Sequence, residues 1–99
     1  MAKTDKYFWV KKQDDGTTKI GISATGVDEL GQINFIDLPD SGTTLTVDGE
    51  FISVEAEKAV TDIPSPVAGK VVTVNPDLSS STDTLNSGNE EDRWIMIVK

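Results

Sequence analysis

The stretch ISVEAEKAVTDI, residues 52–63, decides the fold because it fits two kinds of secondary structure. Five apolar residues recur at helical spacing, and the tetrapeptide AEKA favours a helix. These residues are Ile52, Ala56, Ala59, Val60 and Ile63. Several of the neighbours are β-branched, and Gly49 and Pro64 bound the stretch, which favours two strands joined at Glu57 and Lys58. The local pattern leaves both interpretations open.

The rest of the chain alternates short β-rich segments with turn signals about every 8–12 residues, a pattern typical of an all-β sandwich or barrel. The predicted strands are residues 7–12, 18–22, 32–37, 44–47, 51–55, 59–63, 69–74 and 94–98. Ser23 is suited to cap a short helix over residues 24–30, which Gly31 would end. Residues 75–92 are polar and are predicted to form a loop, with a helical turn after Asn75.

Composition excludes several kinds of site. The 99 residues contain no Cys and no His, so there is no disulfide framework, thiolate zinc site, imidazole base or Ser-His-Asp triad. Residues 1–20 carry five lysines and three aspartates, net +2, whereas residues 21–99 carry four cations and fourteen carboxylates, net −10. Such a surface repels nucleic acid and favours basic protein partners. These features favour a carrier or binding protein over an enzyme.

The length allows one domain, which we predict over residues 1–99. No apolar run approaches the roughly 20 residues that span a bilayer, and residues 1–6 contain no apolar signal core. We therefore expect a cytoplasmic protein. We also expect a monomer, since no exposed apolar patch is apparent from the sequence.

One motif extends the deciding stretch. The segment VEAEKAVTDIPSPVAG, residues 54–69, resembles the lipoylation site of the glycine cleavage system H protein family. That pattern has Glu, two residues, Lys, a small residue, then a hydroxylic residue with Asp, and Ser-Pro with a later Gly. Further blocks of the family are matched, in the same order, by residues 20–22, 29–33, 35–39 and 94–97. The resemblance runs from about Trp9 to Lys99.

The resemblance implies a barrel-sandwich hybrid of two small antiparallel sheets, lipoyl-domain-like, with one or two short helices and a lipoyl hairpin at residues 51–63. Lys58 at the hairpin tip would carry lipoic acid as an amide. Glu55 and Gly69 would help the lipoate-attaching enzyme to recognise the site. Asp62 matches the motif and is a candidate to contact the amine of a loaded arm.

The implied function is that of a non-catalytic carrier, which shuttles an aminomethyl group on a lipoyl arm at Lys58. Its partners would be a pyridoxal-phosphate-dependent glycine decarboxylase, an aminomethyltransferase, dihydrolipoyl dehydrogenase and the lipoate-attaching enzyme. The lysine stem and acyl chain together would reach roughly 14 Å. The dithiolane would supply chemistry that a chain without Cys or His lacks.

The sequence departs from the family pattern at several positions. These are Tyr7, Phe8, Thr25, Gly26, Ala56, Glu57 and Pro64. Glu57 adds a negative charge beside the modified lysine, and Thr25 with Gly26 replaces bulkier residues of the helix that borders the arm-holding cleft. The chain stops just after the last predicted strand, where the family usually continues into a C-terminal helix. The departures leave the attachment chemistry intact and bear on the cleft and on the set of partners.

Three alternatives accompany this interpretation. A divergent H-like carrier would use the same lysine for lipoyl relay, or as a lipoylated target of regulatory modification. A biotinyl domain shares the architecture, but biotin sites favour Met on both sides of the lysine, where Glu57 and Ala59 stand. A carboxylate enzyme or plain interaction module would rest on the acid clusters at residues 14–15 and 90–92, which are better explained as solvated loop charge.

Overall fold

The computed structural model describes residues 5–99, so the expectation for the first four residues lies outside the described part of the chain. The strands are β1 (Phe8–Lys12), β2 (Thr18–Ile22), β3 (Ile33–Asp37), β4 (Thr44–Leu45), β5 (Ile52–Ala56), β6 (Val60–Ile63), β7 (Gly69–Val74) and β8 (Trp94–Val98). One α-helix, α1, spans Ala24–Leu30. Short 3-10 turns span Asp5–Tyr7, Pro76–Ser79, Asp83–Asn86 and Glu90–Arg93.

Within these residues the strands form two antiparallel sheets. A five-stranded sheet has the order β1-β2-β8-β7-β4, and a three-stranded sheet has the order β3-β5-β6. Buried aliphatic side chains from both sheets form a continuous core, with Ile20 and Met96 on one side and Ile36 and Val54 on the other. The predicted all-β class with two small antiparallel sheets and a short helix is confirmed.

The ambiguous stretch 52–63 is a β-hairpin. Val54 and Val60 decide between the helical and extended interpretations. A helix would bury Val60 on its apolar face and leave Val54 off that face, exposed to solvent. In the structure Val54 is 1% exposed and points into the core, whereas Val60 is 77% exposed. Ile52 and Ile63 lie opposite each other in the hairpin and are both buried. Alternation along two paired strands therefore accounts for the pattern.

Strand β4 is shorter than predicted. The sequence suggested residues 44–47, but the strand ends at Leu45. Asp48 then adopts a left-handed backbone with φ of 64°, and the Gly49 amide donates to the Thr46 carbonyl at 2.9 Å. This turn takes residues 46–49 out of the sheet, because its hydrogen bond is made within the turn rather than to a neighbouring strand.

Helix α1 begins and ends at the predicted residues. The Ser23 side chain accepts a hydrogen bond from the Gly26 amide, and Gly31 ends the helix with φ of 75°. Gly26 is buried, and a Cβ there would lie 2.5 Å from the Tyr7 carbonyl oxygen. The departure from the family at Gly26 therefore has a packing reason, since the helix lies directly on the backbone before β1.

The polar segment 75–92 contains the turn predicted after Asn75 and two further 3-10 turns. It is tied to β3 by Asn86, whose side-chain oxygen accepts from the Ile33 amide at 2.8 Å and whose nitrogen donates to the Ile33 carbonyl at 3.1 Å. Buried Arg93 donates to the Ile22 carbonyl at 2.9 Å and to the Ser87 carbonyl at 2.7 Å. Sequence analysis missed both anchors, because they act across the fold.

Candidate functional site

Three residues connect β5 to β6, with Glu57 and Lys58 at the tip of the hairpin and Ala59 leading into β6. The Ala56 amide donates to the Ala59 carbonyl at 2.8 Å, which closes the hairpin immediately below the turn. Among the described residues other than glycine, only Asp48 has a positive φ, so the tip is built without left-handed backbone. The sequence placed Lys58 at this tip, and the structure does the same.

The connection between α1 and β3 holds the hairpin tip. The Glu57 amide donates to the Gln32 carbonyl at 2.8 Å, and the Lys58 amide donates to the Leu30 carbonyl at 2.9 Å. Gly31 between these two acceptors approaches the tip so closely that a Cβ there would lie 3.1 Å from Glu57 Cβ and 3.3 Å from Lys58 Cγ. The base of the Lys58 side chain is therefore fixed on a backbone seat, which we call the tip seat (residues 30–32).

The Lys58 side chain itself is exposed, and its Nζ donates to the Asp28 carbonyl at 2.9 Å. Asp28 lies in the last turn of α1, where unpaired carbonyls and the helix dipole attract a cation. A single hydrogen bond at the surface leaves the amine accessible from solvent. A rigid base with a reachable amine is suited to carrying a covalent group.

Glu55 and Asp62 lie on the outer face of the three-stranded sheet, the face away from the core. Glu55 is opposite Val60, and Asp62 is opposite Ser53. Both carboxylates are exposed, and the Ser53 hydroxyl donates to Asp62 Oδ1 at 2.5 Å. The hairpin thus brings Glu55, Lys58 and Asp62 together on one element, as the motif predicted.

Gly69 lies apart from these residues, at the start of β7 and opposite Leu45 in the five-stranded sheet. Its φ is 148°, and a Cβ there would lie 2.7 Å from Val98 Cγ1 and 2.8 Å from the Lys99 carbonyl oxygen. The nearest atoms belong to the end of β8 and not to the hairpin. Backbone conformation and packing are sufficient to require glycine here.

The segment after β6 fixes where the hairpin leaves the sheet. Ser65 is fully buried, and its hydroxyl donates to the Val67 carbonyl at 2.6 Å. Its backbone pairs with the β4–β5 turn, since the Ser65 amide donates to the Gly49 carbonyl and the Asp48 amide donates to the Ser65 carbonyl. The predicted role of Ser65 and Pro66 at the exit of the second hairpin strand agrees with these contacts.

The shifted pKa values occur away from the hairpin. A hydrogen bond with Glu91 raises the pKa of Lys11, and the same bond lowers the pKa of Glu91. The Thr17 hydroxyl lowers the pKa of Asp15 by donating to its carboxylate. Each acid cluster noted in the sequence thus has a carboxylate with a local role, Asp15 in a turn with Thr17 and Glu91 in an ion pair with Lys11. Within residues 5–99, no group of three or more acidic side chains is arranged to hold a metal ion.

Comparison with known proteins assigns the chain to a family. A family model described as "Glycine cleavage H-protein" matches residues 1–99. The chain belongs to the glycine cleavage H-protein family. A protein of Oceanobacillus iheyensis named "Glycine cleavage system H protein" is 44% identical over 99 residues, covering 100% of this chain and 78% of its relative. A protein of the same name from Rhodopirellula baltica is 46% identical over 102 residues, covering 100% and 77%.

A solved structure agrees with the fold. The crystal structure of a glycine cleavage system H protein from Mycobacterium marinum superposes with a TM-score of 0.81 at 26% identity, covering 94% of this chain and 77% of that one. Members of the glycine cleavage H-protein family are lipoyl-carrier components and do not themselves catalyse the reaction. The comparisons thus favour a carrier of the glycine cleavage system over the relay alternative. In the described residues, no helix is long and apolar enough to cross a membrane.

Proposed function

We propose that Lys58 is the attachment residue of this H protein and carries lipoic acid as an amide on Nζ. The observation that carries the proposal is an exposed lysine at the tip of a tight hairpin, where the Glu57 and Lys58 amides are held by the tip seat. When bound, the dithiolane of lipoate supplies the redox and group-transfer chemistry. The chain contributes a fixed origin and an unobstructed amine.

The residues around the tip fit such a group. Acylation removes the positive charge of Nζ but leaves one N–H, and within residues 5–99 Nζ donates to the exposed Asp28 carbonyl. No side chain has to move out of the way, because Lys58 and the neighbouring Val60 both face solvent. The chain has no Cys and no His, so a borrowed dithiol also supplies what its own side chains lack.

Each motif residue then has a proposed role. Glu55 lies on β5, three residues before Lys58, and would be contacted by the lipoate-attaching enzyme. Gly69 would join it in recognition, in addition to its packing role. Asp62 would offer a carboxylate to the amine of a loaded arm. Asp62 lies on β6, three residues after Ala59, so its backbone is roughly 10 Å along the chain from that of Ala59.

The partners proposed are the glycine decarboxylase, the aminomethyltransferase, dihydrolipoyl dehydrogenase and the lipoate-attaching enzyme. With a net charge of −8, the chain favours basic docking surfaces on these enzymes. A single domain over residues 1–99 is supported by the continuous core between the two sheets. A cytoplasmic location and a monomeric state stay predictions, and light scattering after size exclusion measures the latter.

Intact mass tests the attachment directly. The wild type, Lys58→Arg and the matched control Lys70→Arg are each incubated with a lipoate-attaching enzyme, lipoate and ATP. Lys70 is also an exposed lysine but lies on β7, in the other sheet. We expect one lipoyl addition on the wild type and on the control, and none on Lys58→Arg. Equal addition to Lys58→Arg, or a wild type of bare mass, would overturn the proposal.

A further inference from the structure

Two large apolar side chains lie exposed in one row across the outer face of the three-stranded sheet, on its two edge strands. Phe35 is 53% exposed and Val60 is 77% exposed. Phe35 is opposite Glu55 on β5, and Glu55 is opposite Val60 on β6, so the three residues form one row across the sheet. Both line one groove, and exposed apolar groups gathered in one place with polar residues around them are typical of interaction surfaces, whereas scattered ones are not.

Carboxylates surround this apolar pair. Glu55 lies between the two apolar residues, and Asp37 and Asp62 belong to the next row, on either side of Ser53. An open groove runs over this face, and no lysine or arginine is among the residues that line it. The complementary surface is basic and carries an apolar side chain between its cations. We call the row and its two aspartates the outer patch (Phe35, Asp37, Glu55, Val60 and Asp62).

The position of Lys58 selects one occupant for the outer patch. An unmodified lysine reaches only about 6 Å from its backbone, so an enzyme that acylates it must cover the surface beside the hairpin tip. The tip seat already occupies one flank of the tip, through hydrogen bonds to the Glu57 and Lys58 amides. The outer patch lies on the same hairpin, with Val60 two residues from Lys58, and is open.

We propose that the outer patch is the docking surface for the lipoate-attaching enzyme, which meets Phe35 and Val60 with an apolar side chain and the carboxylates with basic ones. This inference rests on the proposed attachment at Lys58. It extends recognition beyond the linear motif to Phe35 and Asp37, which lie on β3 and reach the site only through sheet pairing. Partners that engage the longer acylated arm are free to dock farther away.

The test compares two double variants. Phe35→Ser with Val60→Ser removes the apolar pair, and Val47→Ser with Val72→Ser removes two valines that are about half exposed outside this sheet. Initial rates of lipoyl addition are measured by intact mass with lipoate and ATP in excess. Loss of an interface centre typically costs a factor of ten or more, so we expect KM for the chain to rise about tenfold in the first variant. The control should keep the wild-type KM, and kcat should be unchanged in both.

Two further measurements do not depend on a folded serine variant, and the second does not depend on turnover either. Asp37→Asn keeps the apolar pair and removes one carboxylate, so it should raise KM and weaken the dependence of KM on salt. With the attaching enzyme added but lipoate and ATP omitted, the backbone NMR signals of Phe35 and Val60 should shift, and that of Val72 should not.

The outcomes separate the inference from the function on which it rests. If the wild type is acylated at Lys58 and both double variants share its KM, the outer patch is not the docking surface. Unshifted NMR signals at Phe35 and Val60 would lead to the same conclusion. If the wild type is never acylated, or Lys58→Arg is acylated equally well, the attachment proposal fails first.

Discussion

Replacing Gly31 by Ala tests whether the tip seat holds the hairpin. Gly31 has φ of 75° and ψ of −156°, a backbone region that is costly for any residue with a Cβ. The added Cβ would also lie 2.9 Å from Glu57 Oε1 and 3.1 Å from Glu57 Cβ. The carboxylate can swing away at little cost, but the Cβ belongs to the tip itself and moves only with the backbone.

The expected magnitude follows from these two contributions. Backbone strain costs about 1–3 kcal/mol, and displacing a packed neighbour adds about 1 kcal/mol or more. Gly42→Ala is the matched control, because Gly42 has φ of 93° but a Cβ there would meet nothing within 4 Å. We therefore expect both variants to lose stability in urea denaturation, and Gly31→Ala to lose about 1 kcal/mol more than the control.

Amide hydrogen exchange distinguishes a displaced tip from general destabilisation. The Glu57 and Lys58 amides are protected by bonds to the Gln32 and Leu30 carbonyls. In Gly31→Ala these two amides should exchange faster relative to core amides, and in Gly42→Ala they should keep their relative protection. If Gly31→Ala costs no more than Gly42→Ala and leaves both amides protected, the tip is not seated on Gly31.

Three other substitutions have defined outcomes. Arg93→Met removes the buried donor of the Ile22 and Ser87 carbonyls and should cost about 2–4 kcal/mol in urea denaturation. Gly21→Ala places a Cβ 2.2 Å from the Trp9 ring and should lower the thermal midpoint with a change in tryptophan fluorescence. The bond between Lys11 and Glu91 lowers the folded pKa of Glu91 below its ordinary 4.5 and raises that of Lys11 above 10.5. Between these pH values, Glu91→Gln should therefore have a slightly lower free energy of unfolding than the wild type, and added salt should reduce the difference. On acidification the difference should vanish, because Glu91 of the wild type becomes protonated.

The structure gives the departures from the family pattern distinct explanations. Gly26 is required by contact with the Tyr7 backbone, and Phe8 packs edge-on against Phe51 in the core with ring centroids 5.3 Å apart. These two substitutions belong to packing rather than to carrier chemistry. Glu57 is different, because its side chain lies at the tip seat beside Gly31. It adds negative charge next to Lys58, where a docking enzyme would meet it.

Much of the local structure followed from the sequence alone. Ser23 and Gly31 marked both ends of α1, because a hydroxyl satisfies the first free amides of a helix and glycine accepts the left-handed backbone that ends it. Strand boundaries agreed to within one residue except at β4, where hydrogen bonds within a turn removed two residues from the sheet. The absence of Cys and His, with the motif around Lys58, pointed to a carrier.

Tertiary structure decided what local patterns left open. Residues 52–63 carry apolar side chains at spacings that suit a helix and a hairpin alike, so neighbouring residues could not choose between them. Strands β3 and β5 pair through residues that lie 16 to 23 positions apart in the sequence, and this pairing fixed the extended form and buried Val54. The tip seat, the outer patch and the Arg93 anchor likewise join distant segments. Their energies come from contacts that exist only after the chain has folded, and no local pattern encodes them.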